Sequence, residues 1–254
     1  MMSLTRREFM QSTAAALAVP TLVSLAHAAD DAPDALIIDC HQHLWDLSRQ
    51  KLPWLESAEE VLKHDYRTEE YVAATKGFNV RAVYMEVDVA PEEEVAEVEF
   101  VIGLCRDKDK PTVAAVIGGR PASPDFEAYV KRFADSDYVK GVREVIHNER
   151  SPAGYCLRDE FVRGIRALGK HGLSFDLCMR PGELKDGLKL SELCPDTRFV
   201  LDHCGNADPK AFAANRDKTS HDPDQWKRDI EALAGRPNLI CKISGIVARA
   251  PKGW

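Results

Sequence analysis

The sequence predicts an α/β fold, a TIM-like (β/α) barrel with seven of the eight strands present in this chain. Three observations carry that expectation. Apolar, β-branched runs alternate with helical segments from residue 36 onward, which calls for parallel strands joined by crossovers. Polar side chains gather at the C-terminal ends of successive strands, where such a barrel builds its site. No glycine-rich phosphate turn follows the first strand, as a doubly wound sheet would more often show.

The front of the chain is set apart from that fold. Arg6-Arg7 precedes an apolar run from Ala14 to Ala26, and Ala26-His27-Ala28 is a small-x-small cleavage site. Residues 1–28 therefore read as a twin-arginine export signal, and a periplasmic location is expected. Pro20 interrupts the run, which is too short to favour a spanning helix, so no membrane association is expected after export. Residues 29–254 form the barrel domain. Among 254 residues the net charge is −7, which argues against a nucleic-acid footprint and leaves a small molecule as the expected partner. Seven cysteines are scattered without a C-x-x-C pair, so a disulfide framework is not expected.

The first strand is the apolar run ending in Asp39-Cys40-His41-Gln42-His43. Strand alternation puts Asp39, His41 and His43 on one side. A helix over Thr68–Lys76 stops at Gly77. Strands follow at Val80–Val87, Thr112–Gly118, Val139–Ile146, Leu173–Met179, Arg198–His203 and Leu239–Ile243. The helices between them are expected at Pro91–Arg106, Pro124–Ala134, Leu157–His171, Glu183–Leu193 and Pro223–Ala234. In the second strand Val83, Met85 and Val87 suit a helix-covered face, whereas the opposite set turns polar at Glu86 and Asp88. In the fourth, Gly141, Arg143, Val145 and His147 share a face that also ends polar. In the seventh, Lys242 and Ser244 take one face. Asp202 and His203, as neighbours in a strand, would point opposite ways.

Three segments together resemble the amidohydrolase superfamily: Asp39-Cys40-His41-Gln42-His43-Leu44-Trp45, Gly141-Val142-Arg143-Glu144-Val145-Ile146-His147 and Leu201-Asp202-His203-Cys204-Gly205. The nearest likeness is to its amidohydrolase-2 branch, which includes sugar lactonases and the pyrone-dicarboxylate lactonase. The resemblance spans the chain from about residue 36 onward. It implies hydrolysis of a lactone or a related ester or amide. His41, His43 and His203 match the histidines that bind metal or substrate there. Glu86 and Arg143, expected as catalytic groups, sit where the lactonases place polar groups that contact substrate. His147, expected to bind substrate, occupies the family's histidine after the fourth strand, with a structural hydrogen bond as the alternative. Arg120 and Arg180, just past strand ends, can grip a carboxylate or hydroxyl, with plain surface charge as the bland alternative. Trp45 can stack on a sugar ring, as can Trp54 and Tyr84, with simple packing as the alternative.

Two courses remain open for the chemistry. A divalent ion, zinc by its liking for three imidazoles and one open position, would sit on His41, His43 and His203. Without metal, the same histidines and Arg143 would stabilise an oxyanion directly. The superfamily's metal enzymes usually carry a fifth-strand histidine, where this chain has Asp176. Family members also end in an eighth strand whose aspartate activates water, and the motif is absent here. The chain is therefore expected to be a C-terminally incomplete form with two unpaired sheet edges, for which a homo-oligomer is one cover. Asp202, Glu86 or Asp176 would have to replace the missing base. The alternatives to a lactonase are a metal-dependent decarboxylase of the same superfamily and a catalytically inactive binding protein.

Overall fold

A computed structural model describes residues 35–213 and 221–250. The export signal expected at residues 1–28 lies outside the described residues. No described helix is long and apolar enough to cross a membrane.

The described residues contain seven strands: β1 (Ile37–Gln42), β2 (Val80–Met85), β3 (Thr112–Gly118), β4 (Val139–Val145), β5 (Ser174–Cys178), β6 (Arg198–Leu201) and β7 (Leu239–Cys241). They form one parallel sheet in sequence order. The main helices are α1 (Thr68–Ala74), α2 (Glu94–Arg106), α3 (Phe126–Phe133), α4 (Asp159–Lys170), α5 (Leu184–Leu193) and α6 (Pro223–Ala234). This is the expected alternation, with element ends trimmed by one to three residues. The sheet is curled: β1 and β7 share no ladder, yet Lys242 Nζ, just past β7, lies 3.5 Å from His41 Nδ1 on β1. Among the described residues the architecture is that of a TIM-like barrel with seven strands.

Local sequence explains how the layers meet. In α4, Phe161, Ile165 and Leu168 recur at helical spacing and are wholly buried. Acidic Asp159 and Glu160 occupy its first turn and Lys170 its last, matching the helix dipole. Phe161 meets Phe175 of β5 edge-on at 5.6 Å. Alternation then sets Phe175 and Leu177 against the helices and turns Asp176 the other way. Each such large side chain withdrawn from water contributes about 1.5–3 kcal/mol. The two end strands lack this cover: Ile38 is 55 % exposed and Ile240 67 %.

Two local expectations are corrected by the structure. Asp39 does not bond the His41 ring: its carboxylate accepts from Tyr71 of α1 at 2.9 Å and from the His41 backbone N–H at 3.0 Å. The β1–β2 register shifts between Asp39 and Gln42, and such an irregularity breaks simple alternation. The sixth strand ends at Leu201, not His203. Residues His203–Asn206 instead make one turn with every φ positive, at 53°, 52°, 66° and 55°.

Candidate active site

That left-handed turn delivers His203. For each of its three non-glycine residues the conformation costs about 1–2 kcal/mol. Surrounding bonds hold it in place. Cys204 N donates to Lys242 O at 3.0 Å, and Gly205 N donates to Asp202 O at 2.8 Å. Asn206 Nδ2 donates to Met179 O at 2.9 Å, and Trp226 Nε1 to Cys204 O at 2.9 Å. Strain retained under so many restraints marks a functional position. Its effect is that Asp202 and His203 both reach His41, which two neighbours in a strand could not do.

Three imidazoles meet at the mouth of the curled sheet. The His41 ring centroid lies 4.9 Å from that of His43 and 4.4 Å from that of His203. His43 Nδ1 lies 3.0 Å from Met85 O, and that carbonyl requires the ring nitrogen to be the donor. The proton is thereby fixed on Nδ1, and Nε2 keeps its lone pair, as in metal-binding histidines. His203 Nδ1 is 3.0 Å from Ser244 Oγ. Among the described residues, one group offers donor atoms close enough for an ion: His41, Asp202 and His203, all within 4.8 Å of one another. Asp202 thus stands in the donor set, with His43 beside it.

Burial and like charge keep the imidazoles neutral. His41 is pushed down to about 2, first by burial and then by the Arg143 guanidinium, His203 and Lys242. Burial also holds His43 well below its ordinary value, and it lowers His203. His41 Nε2 is buried without a hydrogen bond, and the buried Asp202 oxygens have only ion pairs at 3.3–3.6 Å. An unsatisfied buried nitrogen beside a loosely held carboxylate is costly, and a divalent cation would satisfy both. The donor set therefore fits a metal ion.

Charged neighbours surround the set. Arg143 on β4 is 5 % exposed and donates from Nε to Glu86 Oε1 at 2.5 Å and from Nη2 to Glu86 O at 2.7 Å. Its Nη1 lies 3.5 Å from Asp202 Oδ2. Lys242 Nζ donates to Asp176 Oδ2 at 2.6 Å and lies 3.3 Å from Asp202 Oδ1. Burial and the nearby Asp202 raise Asp176 to about 6, against the pull of Lys242. Beside this centre opens a cavity of about 380 Å³. His43, Arg143 and His147 supply its polar side; Trp45, Trp54 and Leu62 line an apolar wall. The wall is fixed by Trp45 Nε1 donating to His64 O and Trp54 Nε1 to Val87 O, each at 2.7 Å.

His41, His43, His203, Glu86 and Arg143 are brought together, with His147 and Trp45 at the adjoining cavity. The remaining expected residues are engaged elsewhere. Arg180 donates to Asn148 O at 3.0 Å and Ser151 O at 2.6 Å and pairs with Glu183, so it pins the loop after β4. Arg120 pairs with Glu94 at 2.7 Å in a second, smaller cavity that Glu86 and Arg143 also line. Tyr84 is wholly buried and bonds Glu97, which removes it as a stacking surface. Sequence reasoning gave Lys242 no role, although it had placed Lys242 on the polar face of the seventh strand. It held Asp176 and Asp202 only in reserve.

Relatives share this architecture. L-fucono-1,5-lactonase of Burkholderia multivorans is 26 % identical over 217 residues, covering 85 % of this chain and 70 % of the relative. The crystal structure of amidohydrolase 2 from Bifidobacterium longum subsp. infantis superposes with a TM-score of 0.59 at 29 % identity, covering 83 % of this chain and 73 % of that one. An amidohydrolase from Burkholderia multivorans with bound zinc superposes with a TM-score of 0.67 at 23 % identity, covering 85 % and 72 %, a likeness of fold. Residues 38–254 match the family model described as Amidohydrolase, and the chain belongs to that family.

Proposed function

We propose that this hydrolase of the amidohydrolase family opens a lactone or related cyclic ester by water attack. The observation that carries the reading is the meeting of His41, His43, His203, Asp202 and the Glu86–Arg143 pair at one mouth. The lactonase-named relative supports the substrate class.

The substrate ring lies in the cavity against Trp45 and Trp54, with its ester carbonyl toward His43 and Arg143. Asp202, wholly buried beside His41, takes the proton of the attacking water. Arg143, held by Glu86, supplies positive charge to the oxygen that becomes anionic. The ring C–O bond then breaks, and the proton on Asp202 passes to the departing alkoxide. His41, Asp202 and His203 would hold a divalent ion, with His43 adjacent; when bound it polarises the carbonyl and makes water more acidic. Zinc, found in the Burkholderia structure, is the ion we favour. The reading includes action in the periplasm on a small molecule.

Asp176, where metal decarboxylases usually carry histidine, favours hydrolysis over carbon dioxide release. The test is a panel of sugar lactones followed by pH-stat, with protein stripped by chelator and then reloaded with zinc. Ring opening that disappears in His203→Ala supports the reading. Carbon dioxide released from aromatic acids, with every lactone inert, would sink it.

A further inference from the structure

The donor set has a charged neighbour of its own. Asp202 and His41, two of the three donor residues, already face an ammonium: Lys242 Nζ lies 3.3 Å from Asp202 Oδ1 and 3.5 Å from His41 Nδ1. We propose that Lys242 is the resident cation of this centre, competing with a divalent ion for the Asp202 carboxylate beside His41 and so keeping affinity for that ion low.

Charge and geometry support this together. Each Asp202 oxygen faces one cation, Lys242 on Oδ1 and Arg143 on Oδ2. Asp176, Asp202 and Glu86 oppose Lys242 and Arg143, so the buried set is short of neutrality by a single positive charge. A dication bound beside both cations would turn that deficit into an excess, with little water to screen it. One cation must therefore yield. Arg143 is clamped by two bonds to Glu86. Lys242 has a flexible four-carbon stem and is 11 % exposed on its side chain, so its ammonium is the one able to swing aside. Asp176, at 2.6 Å, is the anchor that draws it back. Ion entry is thus an exchange of one cation for another and not the filling of a vacant anionic hole.

The inference rests on the donor set accepting a divalent ion and not on the lactone reading. Its test measures binding: zinc affinity of the full chain by equilibrium dialysis with elemental analysis. Lys242→Met and Lys242→Gln, each shown folded by circular dichroism, are expected to bind zinc more than tenfold more tightly than the parent. Lys242→Arg, which keeps the charge, should stay within about threefold of the parent. Adding Asp202→Asn to Lys242→Met should abolish the gain. A purely supporting lysine predicts the reverse, since its loss would let Asp202 and Asp176 drift. Equal or weaker zinc binding in both neutral variants overturns the proposal. Because no turnover is read, failure of every lactone assay would leave this result standing.

Discussion

The Glu86–Arg143 pair offers the sharpest test of how the mouth is held. Arg143→Met removes a guanidinium that is 5 % exposed and leaves Glu86, 3 % exposed, as a buried carboxylate without its cation. Breaking a buried pair from one side costs about 3–5 kcal/mol. Asp202 keeps Lys242 at 3.3 Å, so the uncompensated charge is Glu86 alone and the lower end of that range applies. A domain of this size loses about 2–4 °C per kcal/mol, so a cost of about 3 kcal/mol should lower the melting temperature by roughly 6–12 °C. A thermal scan followed by circular dichroism measures that shift and urea unfolding the free-energy cost, with an unchanged m-value as evidence that the folded state is intact. Combining Glu86→Leu with Arg143→Met exchanges the pair for apolar groups and should recover at least half of the loss. A single-variant cost below about 1 kcal/mol, the value of an exposed pair, refutes the reasoning. So does a double variant less stable than the single.

Other perturbations follow from the same geometry. Gly245 has φ +66°, and a Cβ there would stand 2.3 Å from His203 Nδ1. Gly245→Ala should therefore cost about 1–2 kcal/mol in backbone strain and reduce kcat far more than Tm; an active variant would show that His203 is not held where the chemistry occurs. Burial, with Glu86 nearby, raises Glu97 from 4.5 to about 8. Between those values the folded chain keeps a proton that the unfolded chain releases, so stability contributed by this group declines as pH rises through the window. Glu97→Gln should accordingly gain Tm relative to the parent between pH 5 and pH 8, and parallel profiles would contradict this. Trp54→Ala, which shortens the apolar wall, should raise KM about tenfold, equivalent to roughly 1.4 kcal/mol of binding, with kcat little changed. A fall in kcat alone would remove Trp54 from substrate binding.

Much of this protein is written locally. Alternating β-branched and helical segments dictate the parallel sheet, because each crossover needs a helix and each helix needs an apolar stripe such as Phe161, Ile165 and Leu168. The histidines of β1 and the polar ends of β2 and β4 were legible for the same reason, since period-two alternation sorts side chains by face. Alternation ceases to hold where the backbone leaves the strand. In a regular strand Asp202 and His203 would diverge. They converge because four positive φ angles in succession turn the chain back on itself, a conformation that bonds from Lys242, Met179 and Trp226 hold in place.

Pairing between distant residues was out of reach of the sequence as well. Nothing near Arg180 in the chain says that Asn148 and Ser151 will occupy its donors, and nothing near Arg120 names Glu94. Lys242 could be assigned a face but not its neighbours, because those neighbours arrive from β1, β5 and the end of β6 only when the sheet curls. Local periodicity thus determined the strands and the faces of the histidines, and three short motifs carried the family likeness. The tertiary structure decided which charges oppose one another, because electrostatic energy depends on distance in space and on exclusion of water, and neither is recorded along the chain.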